Sequence, residues 1–88
     1  MKNYKLELSR QADRELHRMA SREIQIYRRV AYALDELRTN PLIGKALKGQ
    51  MKGRYSYRVG SYRIIYAIER RQVIVYIIDI GHRREVYS

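Results

Sequence analysis

Residues 54–69 read RYSYRVGSYRIIYAIE, and the parity of that stretch decides the fold. Tyr55, Tyr57 and Val59 alternate with Ser56 and Arg58. After Gly60-Ser61, Tyr62, Ile64 and Tyr66 alternate with Arg63. Period two on either side of a two-residue, glycine-first turn is a β-hairpin pattern. Closing the loop at Gly60-Ser61 sets Val59 opposite Tyr62, Tyr57 opposite Ile64 and Tyr55 opposite Tyr66. These share one apolar face that needs a cover. Arg58 falls directly opposite Arg63 on the other face.

The pattern extends outward in both directions. Residues 69–72 form a polar turn. Residues 73–80 are nearly all apolar, which suits a central strand covered on both faces; Gly81 is expected to break it, leaving a short polar tail to Ser88. At the other end, Tyr4, Leu6 and Leu8 alternate with Lys5 and Glu7 as a half-buried strand. Ser9 is placed to cap a first helix carrying Ala12, Leu16 and Met19 and running to about Ala20. Ser21 is a second cap candidate, with Glu23 in the first turn of the helix it would open. Ile24, Tyr27, Val30, Ala31, Leu34 and Leu37 make that helix's apolar stripe. It should stop near Arg38 or Thr39, because Asn40 precedes Pro41 and a residue before proline avoids the helical region. Residues 40–53 read as a loop made basic by Lys45, Lys48 and Lys52. The expected class is α+β, in the order β-α-α-β-β-β. An N-terminal helical hairpin packs on one face of a mostly antiparallel four-stranded sheet, in a single domain over residues 1–88.

Charge is the strongest compositional signal: 19 Lys and Arg against nine Asp and Glu give a net +10 in 88 residues. Such a field attracts polyanions. Arginine outnumbers lysine, and its planar fork suits phosphates and stacks on bases. Nine tyrosines with no Phe or Trp supply core aromatics with polar tips, or stacking platforms. The absence of cysteine excludes disulfides, thiolate metal sites and cysteine nucleophiles, and suits a reducing cytoplasm. No N-terminal signal is visible, and the longest apolar run, residues 73–78, falls far short of the ~20 residues a bilayer span needs. A soluble cytoplasmic protein, not a membrane one, is expected.

Two clusters could carry chemistry. Like charges directly opposed in a sheet are destabilising, so Arg58 and Arg63 are either a phosphate clamp or two solvated arginines that splay apart. The tail holds His82, which titrates near neutral pH, with Arg83, Arg84 and Tyr87. The plain alternatives are a structural histidine and a packing tyrosine. His17 and His82 lack partners at metal-ligand spacing, no glycine-rich phosphate loop is present, and the few scattered acids do not suit a two-metal site. A nuclease here would need no metal if its substrate were RNA, whose own 2′-OH can attack the adjacent phosphate. The protein then supplies a base, positive charge for the phosphorane, and an acid for the leaving 5′-oxygen.

Asn40-Pro41, Leu47-Lys48-Gly49, the run from Tyr55 to Tyr66, and Ile80-Gly81-His82-Arg83-Arg84-Glu85-Val86-Tyr87 together resemble the RelE/ParE toxin superfamily, and its RelE branch most. The resemblance covers nearly the whole chain and implies a RelE-like fold and the toxin of a type II toxin–antitoxin pair. The implied activity is cofactor-free, ribosome-dependent cleavage of mRNA in the A site, leaving a 2′,3′-cyclic phosphate and a 5′-OH and stopping translation. It implies that Arg63 and Arg83 stabilise phosphate charge, that Tyr87 stacks on a base or orients the 2′-OH, and that Arg58 serves the leaving group. Lys48, Lys52, Arg54, Ser56 and Arg84 are expected to bind RNA. Ser56 stands where the family's best-known pattern has a lysine, so one proton-transfer group is missing and His82 is the substitute candidate. The implied partners are the ribosome, mRNA and a cognate antitoxin in a hetero-oligomer. A DNA gyrase poison of the ParE branch and a non-catalytic RNA-binding module are the competing readings.

Overall fold

The computed structural model describes residues 3–82. Strand β1 (Lys5–Leu8) leads into helices α1 (Arg10–Arg22) and α2 (Ile24–Thr39). Strands β2 (Lys45–Ala46), β3 (Tyr55–Val59), β4 (Tyr62–Glu69) and β5 (Ile74–His82) follow. They form one sheet in the order β1-β5-β4-β3-β2, with β1 parallel to β5 and all other neighbours antiparallel. The expected four strands are therefore five. The segment 40–53 is not a plain loop: it holds β2 and two 3-10 turns, Pro41–Ile43 and Gly49–Met51. Two residues pairing with Ser56 and Tyr55 are too short a run for an alternation signal.

The hairpin register is as the sequence implies, with Arg58 opposite Arg63 and Val59 opposite Tyr62. Gly60 takes φ 59°, which a side chain rarely adopts and which a glycine-first turn requires. The helix boundaries differ from expectation. Ser9 does cap α1, its hydroxyl accepting from the Ala12 N–H at 3.0 Å. Ser21, however, lies inside α1 and donates to the Arg18 carbonyl. Glu23 alone separates the helices, its N–H closing on Met19 and its carbonyl opening α2 toward Tyr27. A hinge of one residue leaves no sequence room for a cap of its own.

Strand β5 also departs from expectation at both ends. Val73 sits in the preceding turn at φ 57°, and Gly81 continues the strand because it pairs with Arg63. Between Ile65 and Tyr66 the β4–β5 register shifts by one residue, leaving Ile78 as the extra residue of a bulge. Val75 and Ile77 face the helices before the bulge, and Ile80 does so after it. The core lies between the helical hairpin and this face. Ala12, Met19, Val30, Leu34 and Leu37 meet Val59, Tyr62, Ile64, Tyr66, Val75, Ile77 and Ile80. Each large side chain fully buried there contributes about 1.5–3 kcal/mol. Among the described residues no helix is long and apolar enough to cross a membrane.

Candidate nucleic-acid interface

The face of the sheet away from the helices carries the arginine pair. Arg58 is exposed and its Nε donates to the Gly60 carbonyl at 3.4 Å. Arg63 is half-buried and its Nη1 donates to the Ser56 hydroxyl at 3.1 Å. Ser56 is only 4% exposed, lies opposite the buried Ile65, and is the buried polar residue of the described chain. It and Arg63 are diagonal neighbours across the strands, a separation that a long side chain spans. One arginine is thus held and the other is presented to solvent.

The basic loop approaches the same strand from its other end. Leu47 N–H donates to the Arg54 carbonyl, which ties the loop to the start of β3. Lys48, Lys52 and Arg54 are exposed there, and Arg54 Nη1 lies 3.8 Å from the Met51 sulfur. Arg54 and Arg58 are four residues apart along extended chain, roughly 13 Å at strand rise. That spacing would let one polyanion strand meet both.

The loop is anchored by Tyr66. Its buried hydroxyl donates to the Pro41 carbonyl at 2.6 Å and accepts from the Gly44 N–H at 3.0 Å. Its ring stacks on Tyr55 at 5.4 Å. Burial pushes the Tyr66 phenol up to about 12, so it stays protonated and able to donate. A Cβ at Gly44 would run into that hydroxyl, so the position needs glycine.

His82 is not brought to the arginine pair. It lies opposite Tyr62, on the helix side, with the two rings edge-to-face at 5.6 Å. A polar cavity of about 300 Å³ there is lined by Gln11, Glu15, Arg18, Glu23, Tyr62 and His82. Arg18 is the hub: it reaches the Glu15 and Glu23 carboxylates at 2.7 Å each and the Tyr62 hydroxyl at 2.9 Å. Hydrogen bonds from Arg18, then from Tyr62, lower the Glu23 pKa, and those carboxylates raise that of Arg18. Burial raises the Tyr62 phenol. This network joins both helices to the sheet. Arg83, Arg84 and Tyr87 lie outside the described residues. No group of three or more His, Asp or Glu side chains that could hold a metal ion occurs among the described residues.

Sequence reasoning missed one feature. An open groove of about 350 Å³ runs between α2 and the edge of β3, lined by Arg28, Arg29, Tyr32, Glu36, Tyr57 and Arg58 among others. The only signal was an arginine pair one turn before a tyrosine on a helix otherwise read for its apolar stripe.

The chain is similar to known proteins over nearly its full length. Residues 6–87 match the sequence model of the family described as ParE toxin of type II toxin–antitoxin system, parDE. Toxin RelG of Mycobacterium tuberculosis is 32% identical over 85 residues, 96% of this chain and 95% of that protein. The toxin–antitoxin complex RelBE2 of the same organism superposes with a TM-score of 0.81 at 32% identity, covering 94% of each chain. The isolated Escherichia coli RelE toxin does so with a TM-score of 0.77 at 28% identity, covering 97% of this chain and 92% of that one.

Proposed function

This chain belongs to the RelE/ParE superfamily of type II toxin–antitoxin toxins, and we propose that it acts as a ribosome-dependent endoribonuclease that cuts mRNA in the A site. The observation that carries the reading is the Arg58–Arg63 pair, directly opposed on the face of the sheet away from the helices and flanked by the basic loop. In the proposed reaction the RNA 2′-oxygen attacks the adjacent phosphorus as its proton departs. The bond from phosphorus to the 5′-oxygen then breaks, and that oxygen takes a proton. The products are a 2′,3′-cyclic phosphate and a 5′-OH, and neither metal nor cofactor takes part.

Arg63, fixed by Ser56, stabilises the negative charge that grows on the phosphorane. Arg58 meets the leaving-group side. Arg83 adds a cation and Tyr87 stacks on a base or orients the 2′-OH; Lys48, Lys52, Arg54 and Arg84 bind the RNA backbone. Arginine is a poor acid or base, and His82 faces the other side of the sheet, so proton transfer is not routed through His82. Solved relatives include a toxin–antitoxin complex. The same arrangement is proposed here, with a cognate antitoxin covering the basic face in a hetero-oligomer.

Primer extension on ribosomes programmed with a defined mRNA tests this. Discrete A-site cuts that need the ribosome, persist in EDTA and vanish in Arg63→Ala are expected. The family model's description favours a second reading, a ParE-type DNA gyrase poison. Intact mRNA in every lane, with DNA damage in cells expressing the free toxin, would select it.

A further inference from the structure

We propose that the groove between α2 and β3 is a second site for single-stranded RNA, with Tyr32 as a base-stacking platform and Arg28 and Arg29 as phosphate contacts. Arg28, Arg29 and Tyr32 are spaced i, i+1, i+4 and so share a helix face. Tyr32 is 69% exposed, whereas Tyr27 on the same helix packs against the core. An exposed tyrosine alone means little; its surroundings set this one apart. Arg28 and Arg29 make no ion pair or side-chain hydrogen bond among the described residues. Arg18 and Arg38 pair with Glu15 and Asp35, while Arg10, Arg14 and Arg22 are as unpaired among the described residues as Arg28 and Arg29. What distinguishes the latter two is the exposed Tyr32 beside them in one groove.

The one acid in the groove is already engaged. Glu36 accepts from the Tyr57 hydroxyl at 3.3 Å, and burial together with Glu36 raises the Tyr57 phenol, so the donor stays protonated. Three arginines line the groove against that single carboxylate. The groove also runs into the arginine pair. A Cβ on Gly60 would meet Arg29 Nη1 at 3.2 Å, and Arg58 Nε reaches the Gly60 carbonyl at 3.4 Å. Arg29 and Arg58 therefore gather around one hairpin turn, and a strand lying on the arginine face can continue past it onto α2.

Cations with an exposed aromatic face are what sequence-tolerant RNA binding uses. A docking protein segment would want a buried apolar anchor pocket, but Ala33 and Val59, the groove's aliphatic lining, are themselves buried. The choice of RNA as ligand rests on the ribonuclease reading above.

The test uses the full-length free chain and a fluorescent 2′-O-methyl oligoribonucleotide of about ten residues, which cannot be cut. Anisotropy titrations compare Tyr32→Ser, Tyr32→Phe, Arg28→Ser/Arg29→Ser, and Arg70→Ser/Arg71→Ser, which removes the same charge from the β4–β5 turn. Tyr32→Ser and the groove double variant should each bind about tenfold more weakly, while Tyr32→Phe and the turn variant stay within about twofold. Equal losses from the two double variants would show general charge attraction and overturn the site, as would a Tyr32→Ser chain that binds like the parent. Groove variants that keep the oligonucleotide and lose only the antitoxin would reassign the groove to protein docking. Since the probe is uncleavable, a chain that cuts nothing leaves this result standing. A chain that cuts RNA but ignores the groove substitutions sinks only the groove.

Discussion

Ser56 and Arg63 are diagonal neighbours across the β3–β4 hairpin, and the buried Ser56 hydroxyl accepts a hydrogen bond from the Arg63 guanidinium at 3.1 Å. An arginine has roughly 2 kcal/mol of rotamer freedom to lose on being fixed. A hydroxyl already held in the sheet removes part of that loss before substrate arrives. Ser56→Ala should therefore lower the single-turnover cleavage rate on programmed ribosomes by about five- to tenfold, the worth of one hydrogen bond of about 1 kcal/mol. Ser56→Thr, which keeps the hydroxyl, should recover most of it. An alanine variant cleaving at the parental rate would show that Ser56 does not hold Arg63 for the reaction.

Arg58 sets stability against function. It stands opposite a like charge, an arrangement that is destabilising, by about the 0.2–1 kcal/mol at which exposed charges interact. Arg58→Gln should raise the unfolding free energy by that amount at low salt, and the gain should shrink as salt screens the pair. Cleavage should fall in the same variant. Urea denaturation at two ionic strengths checks the first claim and primer extension the second. A destabilised Arg58→Gln would mean that the arginine packs usefully and that the repulsion is already relieved.

The hairpin and its arginine pair were legible because both follow from one turn and strict period two. The placement of His82 was not, for two reasons: Gly81 was expected to end the strand and leave His82 in the tail, and a bulge upsets the count even where the strand continues. Counted at period two from Val75 and Ile77, His82 falls on the helix-free face beside the arginines. The bulge at Ile78 inverts the parity, so Ile80 and His82 turn toward the helices. Nothing in a run of isoleucines and valines marks where a bulge sits. The helix hinge was hidden similarly: Ser21 has the chemistry of a cap, but Glu23 takes the break because Arg18 and Tyr62 bind its carboxylate. Those partners are 5 and 39 residues away in sequence. Strand β2 was missed because tertiary anchoring, not its own pattern, creates it.

That anchoring predicts a specific loss at Tyr66. Tyr66→Phe makes no cavity but leaves the Pro41 carbonyl and the Gly44 N–H without the hydroxyl that joins them. Loss of the pair should destabilise the chain by about 1–3 kcal/mol, or several degrees in Tm for a domain of this size. Gly44→Ala should destabilise it as well, because the new methyl meets the Tyr66 hydroxyl. The two effects should not add: with the hydroxyl gone, alanine at 44 finds more room. A double variant showing the plain sum of the single losses would argue that the hydroxyl is not what restricts position 44.

Glu23 makes the acid limb of stability a test of the helix hinge. Arg18 at 2.7 Å, then Tyr62, hold its carboxyl below the ordinary value of 4.5. A group with a depressed folded pKa binds protons more readily in the unfolded chain, so its contribution is full above the unfolded value and drains away as pH falls through the folded one. The window therefore opens near pH 4.5 and extends downward. Glu23→Gln removes the titrating group and so this part of the slope. Urea midpoints taken from neutral pH down to about pH 3 should fall more steeply for the parent than for the variant, with the gap between them closing on the acid side. Parallel curves would show that Glu23 is ionised as easily unfolded as folded, and that Arg18 draws its support from Glu15 alone.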